Sequence, residues 1–219
     1  MRSRSSTAAS FFYFRERTLV QGETIAAPPM VVLIPKNRGL AAMAQYALSQ
    51  GAPLGRHECS YVRGEDVPLL ADELARNGRA LLAFTGDDLL DEWLASGRSL
   101  DQRIARRSLT WNDPLARYGK PALCLIGPRA AKLPDRGQIR VAVCAKYQNL
   151  ARRYLRELER AELRITPVPI SGSVEAALLH DVAEFMIDIV VTGKTIENLN
   201  LDVYAVIMTS DLALLEAGV

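Results

Sequence analysis

The residues whose types and spacing best suit chemistry lie in FMIDIVVTGKTIENL, residues 185–199. A buried-strand pattern ends in Thr192-Gly193-Lys194-Thr195, and a helical turn begins at once. At such a junction backbone N–H groups and two hydroxyls converge where a helix dipole is positive, so a phosphate fits well. Gly193 lets the backbone approach closely. Asp188, four residues before Thr192, adds a carboxylate that could grip sugar hydroxyls or a magnesium ion while the loop holds a phosphate of the same sugar. G-K-T also invites a Walker A reading, but that motif needs a glycine where Asp188 stands, so a nucleotide-triphosphatase loop is excluded. The bland alternative is an ordinary strand-to-helix turn, and Asp188 weighs against it.

Other chemistry is sparse. The three cysteines, Cys59, Cys124 and Cys144, form no C-x-x-C pair, and the two histidines, His57 and His180, offer no zinc cage with them. An odd cysteine count without a disulfide framework fits a reducing cytosolic compartment. The patterning puts Cys124 and Cys144 on strands in the core, Trp93 on the apolar stripe of its helix, and both histidines away from proton transfer. Of the 27 basic and 25 acidic residues, four arginines and two glutamates lie in residues 1–29, leaving 23 of each sign in the rest. A neutral body is a poor general nucleic-acid binder, so any anion must be held locally. Nor does any apolar run approach the ~20 residues that span a bilayer.

The elements that must position these residues follow from periodicity. The 219-residue chain is 49% hydrophobic, enough for one large domain or two small ones. Residues 1–29 open Ser/Arg-rich, and FFYF is too short for a secretory h-region, so they are expected to be an extension, with Met30 a possible internal start. From Met30, strands MVVLIP and ALLAFTG alternate with helices LAAMAQYALSQ, VPLLADELARN and DDLLDEWLAS, the second capped by Asp66. The pattern weakens around 100–120. PALCLIG, RVAVCA, a proline-interrupted RITPVPI expected at a sheet edge, and FMIDIVV supply four further strands. Helices are expected in LARRYLRELER, capped by Asn149, and SVEAALLHDVAE, with a strand and then a short helix in DVYAVIMTSDLALLEAG. Roughly seven strands and six helices in two βαβ sets imply two α/β lobes with a cleft between them.

Four stretches together carry a resemblance. SGSVEAALL (171–179) followed by DIVVTGKT resembles the signature region of the ATP phosphoribosyltransferase family. LIPKNRGL (33–40) resembles that family's opening P-K-G-R-L with one residue inserted. YVRGEDVPLLADE (61–73) resembles its R-x-x-D-[IV]-P segment, and AKYQNLARRYL (145–155) its T-K-Y-x-N-L-x-R-x-[YF] segment. The four occur in order over residues 30–219. One departure is larger: where the family has A-D-L-G-[IV]-x-G, this chain has Ala80-Leu81-Leu82-Ala83-Phe84-Thr85-Gly86.

The resemblance implies two lobes like those of type II periplasmic binding proteins, with the active site between them. Residues 30–120 with 198–219 would form an ATP-side lobe, and 121–197 a phosphoribosyl diphosphate-side lobe. The implied reaction, the first of histidine biosynthesis, joins N1 of ATP's adenine to C1 of 5-phosphoribosyl 1-diphosphate with magnesium, releasing diphosphate. By position, Thr192, Gly193, Lys194 and Thr195 would hold the 5-phosphate and Asp188 would face the ribose. Ser171, Gly172 and Ser173 would lie nearby, with Arg56 another phosphate contact. Lys36, Arg38 and Arg63 would take ATP, with Arg63 also stabilising the departing diphosphate. The protein ligands of the metal stay open. The length implies the short form, a cytoplasmic homodimer working with a separate subunit resembling histidyl-tRNA synthetase. The departures leave two alternatives: a phosphoribosyltransferase with a changed acceptor, or a catalytically silent two-lobed binding or regulatory paralogue.

Overall fold

The computed structural model describes residues 28–51, 54–159 and 162–218. The expected roles of residues 1–27 lie outside them. In chain order the elements are β1 (Met30–Pro35), α1 (Arg38–Gln50), β2 (His57–Val62), α2 (Val67–Arg76), β3 (Leu81–Gly86), α3 (Asp87–Ala95) and β4 (Ala105–Leu109). There follow β5 (Ala122–Pro128), β6 (Gly137–Cys144), α4 (Gln148–Leu158), β7 (Leu163–Ile170), α5 (Glu175–Leu179), β8 (Phe185–Val190), α6 (Lys194–Asn198), β9 (Leu201–Thr209) and β10 (Leu212–Ala217).

These elements form two compact units. The described residues up to 85, with 100–107 and 212–218, make the first; 86–99 and 108–211 make the second. The first unit's sheet has the order β2-β1-β3-β10-β4, and β1 runs parallel to both β2 and β3. Central parallel strands are covered on both faces, so they read as unbroken apolar runs. Accordingly every residue of β1, β3 and β10 is buried. The second sheet has the order β7-β6-β8-β5-β9, with β6 parallel to β7 and β8, and β5 antiparallel to β8 and β9. Its proline-bearing β7 is an edge strand, as Pro167 and Pro169 require.

Several expectations need correction. LALLEA is the buried strand β10, not a helix. Six apolar residues are too few for periodicity to separate the two, and burial in a sheet overrides the helix propensity of Leu, Ala and Glu. β2 and β4, both mostly exposed edge strands, carry no apolar run and were not expected. The helix in SVEAALLHDVAE lasts only from Glu175 to Leu179. Asp66 occupies the position before α2 but makes no side-chain cap bond, because a 3-10 turn (Gly64–Asp66) leads into the helix. Asn149 lies inside α4; the cap is the Glu92 carboxylate, which accepts from Asn149 N (2.8 Å), Asn149 Nδ2 (2.7 Å) and Leu150 N (2.8 Å). The unit boundaries also differ from the expected division at 120 and 198. Residues 86–99 join the second unit because α3 packs on α4, and β9 joins it because it pairs with β5.

Core assignments agree with the patterning. Cys124 is fully enclosed, and burial pushes its thiol up to about 12. Cys144 is buried at the end of β6, Trp93 is buried on α3, and both histidines are exposed. Leu81 and Ala83, the departures in the third strand, are fully buried opposite Val31 and Leu33 of β1. They fill the core of the first sheet.

Candidate active site

In the second unit the carboxyl ends of β6, β7 and β8 point the same way. Cys144 pairs with Ile170, and Val143 pairs with Ile187. That register sets Asp188 beside Cys144 and Ser171 one residue beyond Ile170, all at the end of the sheet where open α/β sheets bind ligands. An open cavity of ≈ 280 Å³ is lined there by Glu175, Asp188, Thr192, Gly193, Lys194 and Thr195, with apolar residues of β5 and β8 behind them. Five of the expected site residues therefore meet in one place.

The local geometry follows from the sequence. Gly193 has φ +79°, a left-handed conformation that a side chain would strain, and it opens the five-residue helix α6. Thr192 Oγ1 accepts from Lys194 N (3.4 Å), and the Gly193 carbonyl accepts from Glu197 N (3.1 Å). Thr192, Lys194 and Thr195 are exposed, while Gly193 between them is buried. Asp188 is mostly enclosed. Burial raises its pKa and the nearby Glu175 charge adds to the rise, while the Ile189 N–H (2.8 Å), the Lys146 charge and the Cys144 thiol act against it. Asp188 nevertheless lines the cavity. Ser171, Gly172 and Ser173 are exposed in the turn between β7 and α5, at the same sheet end but outside the cavity lining.

Lys146, Glu175 and Arg117 escaped the sequence reading. Lys146 stands in the AKYQNL stretch and Glu175 in SGSVEAALL, so both lie within the family-like segments. Tyr147, next to Lys146, donates to Asp88 Oδ2 (2.5 Å), and Ser210 Oγ donates to Asp88 Oδ1 (2.5 Å). This buried network ties the turn after β6 to the start of α3. Burial, reinforced by the Asp88 charge, raises the Tyr147 hydroxyl pKa far enough to keep it a donor. The oxygen donors of Asp188, Glu175 and the loop threonines fit a hard cation such as Mg²⁺. Among the described residues no cluster of three or more His, Cys, Asp or Glu could hold a metal by itself.

In the first unit the expected cations divide. Lys36 follows β1 and Arg63 follows β2, and Lys36 N donates to Val62 O (2.7 Å), so both leave the same sheet end. Thr85 Oγ1, fully buried, donates to Gly64 O (2.8 Å) and pins the turn that carries Arg63. Arg38 opens α1 behind Asn37, whose side chain accepts from Leu40 N (3.3 Å). All three cations are exposed. Arg56 is not with them. Its carbonyl accepts from Met30 N at the amino end of β1, and the six-residue strand β2 separates it from Arg63. At ~3.3 Å per residue that is roughly 20 Å.

Two five-stranded α/β units, one ending in a hydroxyl-lined turn and the other in a pair of basic strand ends, define a binding-protein-like α/β class. The fold agrees with solved structures. The Thermotoga maritima ATP phosphoribosyl transferase (HisG:HisZ) complex superposes with TM-score 0.61 at 24% identity, covering 86% of this chain and 87% of that one. The periplasmic aliphatic sulphonate binding protein SsuA from Escherichia coli gives 0.50 at 17%, covering 87% and 66%. A family model described as ATP phosphoribosyltransferase matches residues 63–218. An ATP phosphoribosyltransferase of a Picosynechococcus strain is 28% identical over 165 residues, 74% of this chain and 69% of its own length. Two other relatives match over only 38% and 39% of their length. The chain belongs to the ATP phosphoribosyltransferase family, whose reaction opens histidine biosynthesis.

Proposed function

We propose that the chain transfers the phosphoribosyl group of 5-phosphoribosyl 1-diphosphate to N1 of the adenine of ATP, with diphosphate leaving. The observation that carries this reading is the convergence of Asp188 with Thr192–Thr195 in one cavity. The loop would bind the 5-phosphate through the two threonine hydroxyls, the Lys194 ammonium and backbone N–H groups. Asp188 would accept from the ribose hydroxyls. A transition state of oxocarbenium character asks little acid–base chemistry of the protein, so positioning and anion stabilisation supply the acceleration. Lys36, Arg38 and Arg63 would bind ATP, and Arg63 would meet the charge that develops on diphosphate. Arg56, at the other sheet end from Lys36 and Arg63, would be a phosphate contact separate from theirs.

Magnesium would arrive on the diphosphate, with Asp188 and Glu175 able to approach it; its chemistry is neutralisation of the leaving group. We place the protein in the cytoplasm. Its three cysteines are free, and no described helix is long and apolar enough to cross a membrane. A separate regulatory subunit resembling histidyl-tRNA synthetase is supported by the named two-component complex of Thermotoga maritima. The homodimer rests on the family resemblance.

Calorimetry with 5-phosphoribosyl 1-diphosphate tests the loop. Hydrogen bonds to a charged phosphate are worth ~1.5–3 kcal/mol each, so T192A/T195A should weaken binding by at least ~100-fold. Unchanged affinity in that double variant would move the phosphate elsewhere. An assay with ATP, phosphoribosyl diphosphate and magnesium, with and without the regulatory subunit, tests the acceptor.

A further inference from the structure

We propose that Arg117, which lies beside Gly193, is a second cation of the phosphate loop and contacts the phosphomonoester of the sugar. The inference rests on the loop assignment above and adds a ligand that none of the family-like motifs contains. Arg117 lies in the irregular stretch between β4 and β5, where the sequence offered no pattern. Its backbone N–H donates to the Val191 carbonyl (2.7 Å), which fastens this stretch to the residue just before Thr192. Its side chain then runs over Gly193: a methyl group built on that glycine would sit 3.3 Å from Arg117 Cδ and 3.4 Å from Nη1. The left-handed backbone at 193 favours glycine, and the Arg117 stem packs directly over it.

Arg117 is exposed, and among the described residues no carboxylate pairs with its guanidinium. A guanidinium held by its backbone beside a phosphate-binding turn, with its fork unengaged, suits bidentate contact with a phosphate oxygen pair. Lys194 supplies a point charge from the loop itself; Arg117 supplies the planar fork. The expected preference is for a dianionic phosphomonoester over the same sugar without phosphate.

Titration of the full-length protein with ribose 5-phosphate and with ribose tests this. R117A should weaken ribose 5-phosphate about 10-fold, leave the much weaker response to ribose unchanged, and keep the wild-type unfolding temperature. R117K should recover part of the loss. Undiminished ribose 5-phosphate affinity in R117A, while T192A/T195A loses it, overturns the role of Arg117 and keeps the loop. Undiminished affinity in both variants overturns the loop assignment itself. A loss in R117A matched by a lowered unfolding temperature and no recovery in R117K overturns the charge role in favour of packing.

Discussion

The hydroxyl-lined turn of the second unit and the basic strand ends of the first assemble their polar groups in opposite ways. In the second unit, Asp188 and Thr192–Thr195 fall within eight consecutive positions, spread over one strand, one glycine turn and one helix start. Chain continuity alone brings them together, because β8 ends at Val190 and the chain then turns through the left-handed Gly193 at the carboxyl end of the sheet. In the first unit, Lys36 and Arg63 are 27 positions apart in sequence and become neighbours only because β1 and β2 pair in parallel. Arg56, much nearer to Arg63 in sequence, ends up at the far end of the same strand. A contiguous motif survives folding as a site; a dispersed set of cations is sorted by register.

The largest effect that sharpens this contrast is expected at Arg63. If it meets charge that develops chiefly as diphosphate leaves, R63A should lower kcat by about 10²–10³, more than it weakens ground-state binding. Steady-state kinetics with both substrates would decide it, and a loss confined to KM would reduce Arg63 to a ground-state contact.

A smaller effect, with an informative sign, is expected at Asp188. Burial raises its folded-state pKa above the ordinary 3.8. The native state therefore binds the proton more tightly, and this contribution to stability is full below the unfolded pKa. It is lost as pH rises through the raised value. D188N should remove that part of the pH dependence and unfold at a higher temperature at neutral pH, by ~2–4 °C for each kcal/mol relieved. Its phosphoribosyl diphosphate binding should fall at the same time. Melting curves across pH 3–8 would show it, and a D188N protein less stable than wild type at pH 7 would make Asp188 a structural group.

The smallest effect belongs to Arg56. R56A should leave stability within about 0.5 kcal/mol of wild type, as for an exposed side chain, and should leave ATP affinity unchanged, because Arg56 stands at the other end of β2 from Lys36 and Arg63. A tenfold loss of affinity would restore Arg56 to the site and break the register argument.

The legible parts of the molecule share a physical cause. β1, β3, β5 and β8 were readable because central strands covered on both faces need unbroken apolar runs. The edge strand β7 was readable because its prolines forbid a central place. β2 and β4 were not, since an exposed edge strand can be built of almost any polar residues. Caps are not legible where the partner comes from elsewhere in the chain. Glu92 reaches the start of α4 from a position 57 residues before Asn149, and no local spacing encodes that.

By itself, then, the sequence determined the two-sheet α/β class, the family, and the Asp188-to-Thr195 turn, since each rests on local pattern or on contiguous residues. Only the tertiary structure decided that LALLEA is a strand, that β9 and α3 belong to the second unit, that Arg56 stands apart from Lys36 and Arg63, and that Arg117 lies over Gly193. These depend on which strands pair and in what register. Pairing is a choice among long-range contacts that local propensity leaves nearly equal, and it is settled by the burial of the whole core.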